Sequence, residues 1–157
     1  MTQLPPSARN VQEALAAAGS VSDVVVLPGS ARTAAEAAAA LGCEVGAIAN
    51  SLVFMADDRP LLVMTSGAHR VDTAALARRV GKDRIVRATA DEVRTATGQA
   101  IGGVAPVGHP TKLETLIDTA IAAYDQIWAA GGTPHAIFAT TYTELVRMTR
   151  GTPVEVS

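Results

Sequence analysis

The chain predicts a single α/β domain in which helices surround a mixed, mostly antiparallel sheet. Three observations carry that prediction. The 157 residues suit one hydrophobic core. Short apolar runs alternate with capped, helix-period segments along the whole length. Several apolar runs are joined by hairpin-type turns, which a doubly wound parallel sheet does not use.

Taken in order, Ser7 is placed to cap a helix reaching about Ala18, with Val11, Leu15 and Ala18 on one face and Gly19 as its stop. Residues 23–27 read as a short buried strand closed by Pro28-Gly29. Thr33 followed by Glu36 is a capping-box spacing that opens an Ala-rich helix ending at Gly42. Residues 47–56 form a long strand candidate, Asp57-Asp58-Arg59 a turn, and 60–65 the returning strand. Asp72 or Thr73 caps a helix to Val80, stopped by Gly81. Residues 84–87 are a short strand. Thr89, with Glu92 in the capping-box position, opens a helix that ends near Thr97-Gly98. Residues 115–121 and 125–130 read as strands, and Gly131-Gly132-Thr133-Pro134 turns into a third at 135–140. Thr143 begins a last helix with Leu145, Val146 and Met148 available for packing. No linker long enough to separate two domains is present, and 1–157 reads as one unit with no internal repeat.

Composition narrows the function. The chain is 48% hydrophobic, largely Ala and Val, with five aromatic residues, so its core must be built from small aliphatics. No apolar run approaches the roughly 20 residues that span a bilayer. Met1-Thr2-Gln3-Leu4-Pro5-Pro6 lacks a basic start followed by an apolar stretch, which is not a secretory pattern. The single cysteine, Cys43, excludes an internal disulfide and a Cys-rich zinc site. A cytoplasmic location is the expectation. A formal net charge of -2 argues against a protein that grips long stretches of nucleic-acid backbone, DNA included, but leaves room for a short contact with an RNA end. Arg78, Arg79, Lys82, Arg84 and Arg87 concentrate basic charge locally. They read either as a solvated helix end and strand or as a landing patch for phosphates.

Residues 97–109 are the most unusual segment. They carry four glycines, one proline and one histidine. Such a run is neither a helix nor an ordinary core strand. It also matches neither the Gly-x-x-x-x-Gly-Lys-Ser/Thr nor the Gly-x-Gly-x-x-Gly phosphate pattern. Gly102-Gly103 therefore marks either a simple tight bend or a place where a ligand approaches the backbone. The segment Ser66-Gly67-Ala68-His69-Arg70-Val71-Asp72 sits where a strand gives way to a helix, with Arg70 available to an anion and Asp72 to the helix cap. Asn50 and Ser51 are polar within an apolar strand, so one of them faces a cavity or an internal partner. His69, His109 and His135 fall at loop edges without metal-ligand spacing. Cys43 reads as structural rather than nucleophilic.

Three motifs in this order and spacing resemble the YbaK and prolyl-tRNA-synthetase editing-domain family. They are Asn50-Ser51-Leu52-Val53-Phe54, then Ser66-Gly67-x-x-Arg70-Val71-Asp72, then Thr97-Gly98-x-x-Ile101-Gly102-Gly103-Val104-x-Pro106-x-Gly108. The resemblance spans nearly the whole chain. It implies a free-standing aminoacyl-tRNA deacylase of single mixed α/β fold, acting on alanine, serine or cysteine misattached to proline tRNA. The acidic balance fits contact with the acceptor end alone, aided by prolyl-tRNA synthetase or an elongation factor, and no membrane partner is expected. No cofactor and no metal are expected. The glycine segment corresponds to the loop that lines the amino-acid pocket. In that frame Asn50, Gly102 and Gly103 are the catalytic candidates, the loop N–H groups through Val104 polarising the ester carbonyl. Ser51, Phe54, Ser66, Gly67, His69, Arg70, Val104, Pro106, Gly108, His109 and His135 are the substrate-binding candidates, with His69, Arg70 and His135 assigned to the terminal adenosine or its phosphates. One departure stands out: members usually carry Lys where this chain has Asn50. An amide can hydrogen-bond a carbonyl or ribose but supplies no charge. Two other readings of the same pocket are a non-catalytic binding module and a small-molecule esterase.

Overall fold

The computed structural model describes residues 4–27, 29 and 33–157. Among these residues, five α-helices pack on one mixed sheet. The chain runs α1 (Pro6–Ala17), β1 (Val25–Val26), α2 (Ala34–Leu41), β2 (Ile48–Ala56), β3 (Arg59–Ser66), α3 (Thr73–Val80), β4 (Ile85–Arg87) and α4 (Ala90–Thr97). It continues with β5 (Glu114–Asp118), β6 (Ile127–Ala130), β7 (Ala136–Thr140), α5 (Tyr142–Thr149) and β8 (Thr152–Val154). The strand order is β1-β7-β6-β2-β3-β5-β8, with β4 also pairing with β2. Antiparallel pairing joins β1 to β7, β6 to β7, β2 to β3 and β2 to β4. Parallel pairing joins β2 to β6, β3 to β5 and β5 to β8. The expected mixed, mostly antiparallel sheet is what the chain forms.

Local chemistry sets most element ends. Thr33, Asp72, Thr89 and Thr141 each accept an N–H of the first helical turn, from Glu36, Ala75, Glu92 and Glu144 respectively. Thr89 and Glu92 complete a reciprocal capping box. Ser7 does not cap α1. The helix starts one residue earlier, at Pro6, whose fixed φ and missing N–H suit the first helical position. The 115–121 strand is shorter than expected. The Asp118 carboxylate accepts the Ala120 N–H and turns the chain into a 3-10 segment, Thr119–Ala123. Sequence reasoning missed β8 altogether, a three-residue edge strand containing Pro153. The Pro28 turn lies outside the described residues.

The sheet is buried on both faces, which explains the unbroken apolar run Leu61-Leu62-Val63-Met64 in β3. Leu62 and Met64 pack with Val53, Ile117 and Phe138 under α1, α4 and α5, represented by Val11, Leu15, Val93 and Leu145. Leu61 and Val63 point the other way, to Phe54, Leu116 and the α3 residues Leu76 and Ala77. On that second face Ala37 and Ala38 of α2 cover Ile48.

The β2–β3 hairpin closes through Asp57 (φ 50°) and Asp58 (φ 68°), a two-residue turn with both central residues left-handed. Asp57 also accepts the N–H groups of Asp83 and Arg84 at 3.1 and 2.9 Å, which fastens the start of β4 to the turn. Asp58 has no such second duty among the described residues. Replacing it with glycine, the residue this conformation prefers, is expected to raise stability by up to about 1 kcal/mol. Asp58→Val is expected to lower it. Urea unfolding midpoints at constant slope check the pair, and a destabilised Asp58→Gly would contradict the turn assignment.

Candidate active site

Strand β2 has one continuous partner, β3, which pairs with every residue from Ala49 to Ala56. Its other edge is divided. Ile48 and Ala49 pair with β6, and Phe54, Met55 and Ala56 pair with β4. Between them no strand among the described residues pairs with 50–53, apart from one bond from Ala88 N–H to the Val53 carbonyl, 3.2 Å. A sheet interrupted in its middle leaves main-chain donors and acceptors without ladder partners, and these must meet water or a ligand. Alternation identifies them. Val53 directs its carbonyl to the gap, whereas Ile48 directs its carbonyl to Gly67 on the β3 side. The N–H and C=O of Ser51 therefore face the gap, and those of Asn50 and Leu52 face β3.

The gap opens into a cleft of about 220 Å³ lined by Asn50, Ser51, Leu52, Val53, Arg87, Ala88, Val93, Ile101, Gly102, Val104 and Ala130. Asn50 and Gly102 also border an adjoining recess of about 20 Å³. That recess is walled by Ala34, Ala37, Ile48, Trp128, Ala130 and Ile137, with Thr33 at its rim. Its lining is mostly apolar and its volume is of the order of one small group. Asn50 thus stands at the junction of a methyl-scale recess and a wider, more polar cleft.

The opposite wall is the glycine segment. Gly103 N–H donates to the Ala100 carbonyl at 3.2 Å, and Gly102 takes φ +93°, so residues 100–103 close a tight turn that exposes Ile101 at its tip. Gly103 has a different reason to be glycine. A Cβ there would lie 2.3 Å from the Thr133 carbonyl carbon, so the two backbones touch. Side chains brace the rest. Gln99, buried, accepts Ala105 N–H at 2.7 Å through Oε1. The Thr97 hydroxyl donates to the Val93 carbonyl and accepts Gln99 N–H. His109 Nε2 lies 2.7 Å from the Ala105 carbonyl, which requires the ring to donate from that nitrogen.

The chain's sequence matches the aminoacyl-tRNA editing domain over residues 29–148. The chain belongs to this family. It is 46% identical, at a TM-score of 0.91 and covering 99% of both chains, to a crystal structure described as a proposed trans-editing enzyme for prolyl tRNA synthetase. It is 42% identical, TM-score 0.91 over 98% of both chains, to a structure from work on epitope backbone grafting onto scaffold proteins. It is also 29% identical over 117 residues to the proline–tRNA ligase of Nitratidesulfovibrio vulgaris (strain DP4), covering 74% of this chain and 20% of the ligase. The chain thus spans a fifth of that curated relative.

Seen against this editing-domain fold, the sequence candidates separate into groups. Asn50, Ser51, Gly102 and Val104 come together in the cleft. Gly103 is beside them, but its N–H is already spent within the turn, so it is not a free donor. The Ser51 hydroxyl is turned to Met64 Sδ, 3.1 Å, which leaves its main chain as the group presented to the cleft. Phe54 is outside, packed in the core beneath α3. Ser66 is buried with its hydroxyl on the Gly46 carbonyl. Gly67 sits against the Val45 carbonyl, where a Cβ would fall at 2.4 Å. His69 is held by the buried Asp118, 2.9 Å, bordering a separate hollow at the C-terminal end of β5. Arg70 is exposed beyond it. His135 contacts the Gly29 carbonyl at 3.2 Å, outside the cleft lining. Pro106, Gly108 and His109 line the far side of the loop.

Arg87, which sequence reasoning placed only in a general basic patch, is the charged residue lining the cleft. Its guanidinium lies 6.0 Å from the Phe54 ring centroid, across the β2–β4 pairing. Burial pushes the Cys43 thiol up from its ordinary value, against thiolate chemistry, as its sequence context indicated.

Burial also holds His109 below the ordinary histidine value of 6.5, outweighing the opposing bond to Ala105. The unfolded chain then binds more protons than the folded one. Stability is full above the ordinary value and is lost as pH falls through the folded one. Melting temperature should therefore drop as pH falls below the ordinary histidine value. His109→Gln, which can still donate to Ala105, should flatten that drop, and an unchanged slope would contradict the assignment.

Proposed function

We propose that this editing domain hydrolyses the ester linking a small, wrongly attached amino acid to the 3′ end of a tRNA, with proline tRNA the first candidate. The observation that carries the reading is the placement of Asn50 at the mouth of a methyl-scale recess in a gap lined by main-chain donors. An aminoacyl ester is already activated, so attack by water needs a held carbonyl and a partner for the developing oxyanion. The N–H of Ser51 and the turn at Gly102 provide that partner. The Asn50 amide orients the carbonyl or the terminal ribose. The recess accepts the side chain. Its size and apolar walls favour alanine. Serine would bury a hydroxyl among mostly apolar walls, with few side-chain partners such as Thr33 and Asn50, and proline exceeds the space. Arg87 meets the phosphate of the terminal nucleotide. The cleft draws its donors from β2 as well as from the glycine loop, and its cation from Arg87 on β4 rather than from Arg70.

The cleft lining contains no titratable base among the described residues. That observation supports a second reading, a domain that binds the aminoacyl end without cleaving it.

A panel of mischarged tRNAs separates the two. Release of alanine from proline tRNA faster than of serine or cysteine is the expected result, with proline retained. Binding of the panel without release of any amino acid would favour the second reading. Asn50→Ala should lower kcat/KM by about 10- to 100-fold, the scale of losing one oxyanion-side hydrogen bond. Asn50→Lys should at least match the parent. Arg87→Ala should act mainly through KM, by about tenfold, with a weaker salt dependence than the parent.

A further inference from the structure

On the other side of the glycine loop lies a second, larger cavity of about 550 Å³, between the C-terminal ends of α1 and α5 and the 106–113 segment. Val107, Leu113 and Met148 supply an apolar floor, and Lys112 and Arg150 supply charge. No Asp or Glu lines it. Lys112 and Arg150 are exposed and form no ion pair among the described residues. In a chain of net charge -2 this hollow gathers two side-chain cations and no acid, set beside the partly negative carbonyl ends of α1 and α5. Arg150 occupies the C-cap of α5 at φ +52°, a left-handed conformation costly for a side-chain-bearing residue and natural for glycine.

The cavity is next to the cleft. Val104 lines the cleft and Pro106 lines the cavity, so the walls of the two sites come within about 7 Å of each other along the chain. The cavity side of this loop includes Gly108, exposed and at φ +85°. Both hollows thus share one braced loop, with Ala105 fixed by Gln99 and His109 between them.

We propose that this cavity is a second RNA subsite, which takes a nucleotide unit upstream of the 3′ end. Lys112 and Arg150 meet its phosphate, and the apolar floor meets its sugar or base. The volume suits a nucleotide-sized group. The charge suits a phosphodiester, and the shared loop sets the cavity beside the cleft. The proposal rests on the reading of the cleft as an aminoacyl-RNA site. It gives Pro106, Gly108 and His109 a place that the cleft does not.

The test measures binding of an uncharged acceptor-stem RNA hairpin ending in a single-stranded 3′ tail, at several salt concentrations. Lys112→Ala combined with Arg150→Gly is expected to weaken binding by about tenfold and to reduce the salt slope by about one to two. Arg150→Gly suits the backbone conformation, and a melting temperature at or above the parent's verifies folding. Amide shifts induced by the hairpin in the parent should include residues 106–113. Unchanged affinity and slope in the double variant would overturn the proposal. So would shifts of 106–113 produced equally well by AMP or inorganic phosphate, which would make the cavity a small-anion site. Because the hairpin is uncharged, the outcome is independent of catalysis. Deacylation by the parent with no effect of the double variant on binding would sink the subsite alone. A Lys112- and Arg150-dependent affinity without deacylation would sink the catalytic reading alone.

Discussion

The divided edge of β2 is the constraint on which the site depends. A nine-residue strand pairs fully with β3, while its other side is shared between β6 at one end and β4 at the other. Each short partner is anchored elsewhere. β6 is held by β7, and β4 by the Asp57 carboxylate and by the Asp57 N–H on the Arg84 carbonyl. Neither can extend along β2 to meet the other. The resulting gap puts ladder-type donors of a central strand at the wall of a cleft, rigid because the β3 side is complete. Such donors are oriented before a ligand arrives, which is the condition for electrostatic stabilisation without reorganisation.

The glycine segment completes the gap, and its glycines do separate jobs. Gly102 permits the left-handed turn position, and Gly103 permits contact with Thr133. Gln99, Thr97 and His109 spend their polar groups inside the loop. This bracing holds the wall in place and explains why few polar side chains remain to face a substrate. What the cleft offers is mostly backbone, one amide and one guanidinium.

The fold was largely legible because caps and hairpin turns are local. Thr33, Asp72 and Thr89 announced their helices, and Asp57-Asp58 announced the hairpin. Ser7 misled because Pro6 could start the helix without a side-chain cap. β8 was invisible because it is three residues held only by parallel pairing to β5, a partner remote in sequence. The site was legible in part. Polar Asn50 in an apolar strand and a glycine-rich segment each signalled a cavity, and the structure places them together. Sequence could not say that the Ser51 hydroxyl turns to Met64 while its main chain faces the cleft, because that depends on which edge of β2 is unpaired. Nor could it separate Arg87 from its basic neighbours. That distinction follows from the register of Phe54 with Arg87.

Charge placement gives the neutral Asn50 its physical sense. A lysine at that position would set its charge at the junction of cleft and recess. Here the cation sits on β4 instead, beside the Phe54 ring and toward the open end. An amide at the junction has one donor arm and one acceptor, so it can discriminate the orientation of an ester without adding a charge that must itself be solvated. Discrimination by recess size is limited to ~1–3 kcal/mol per methylene, too little to select an amino acid in one binding step. Under the proposed function, a site that cleaves only what fits would apply that limited difference a second time. The same arithmetic makes the rigidity of the recess matter more than the strength of any one contact. Walls of Ala34, Ala37 and Trp128 that yielded by one methylene would erase the difference.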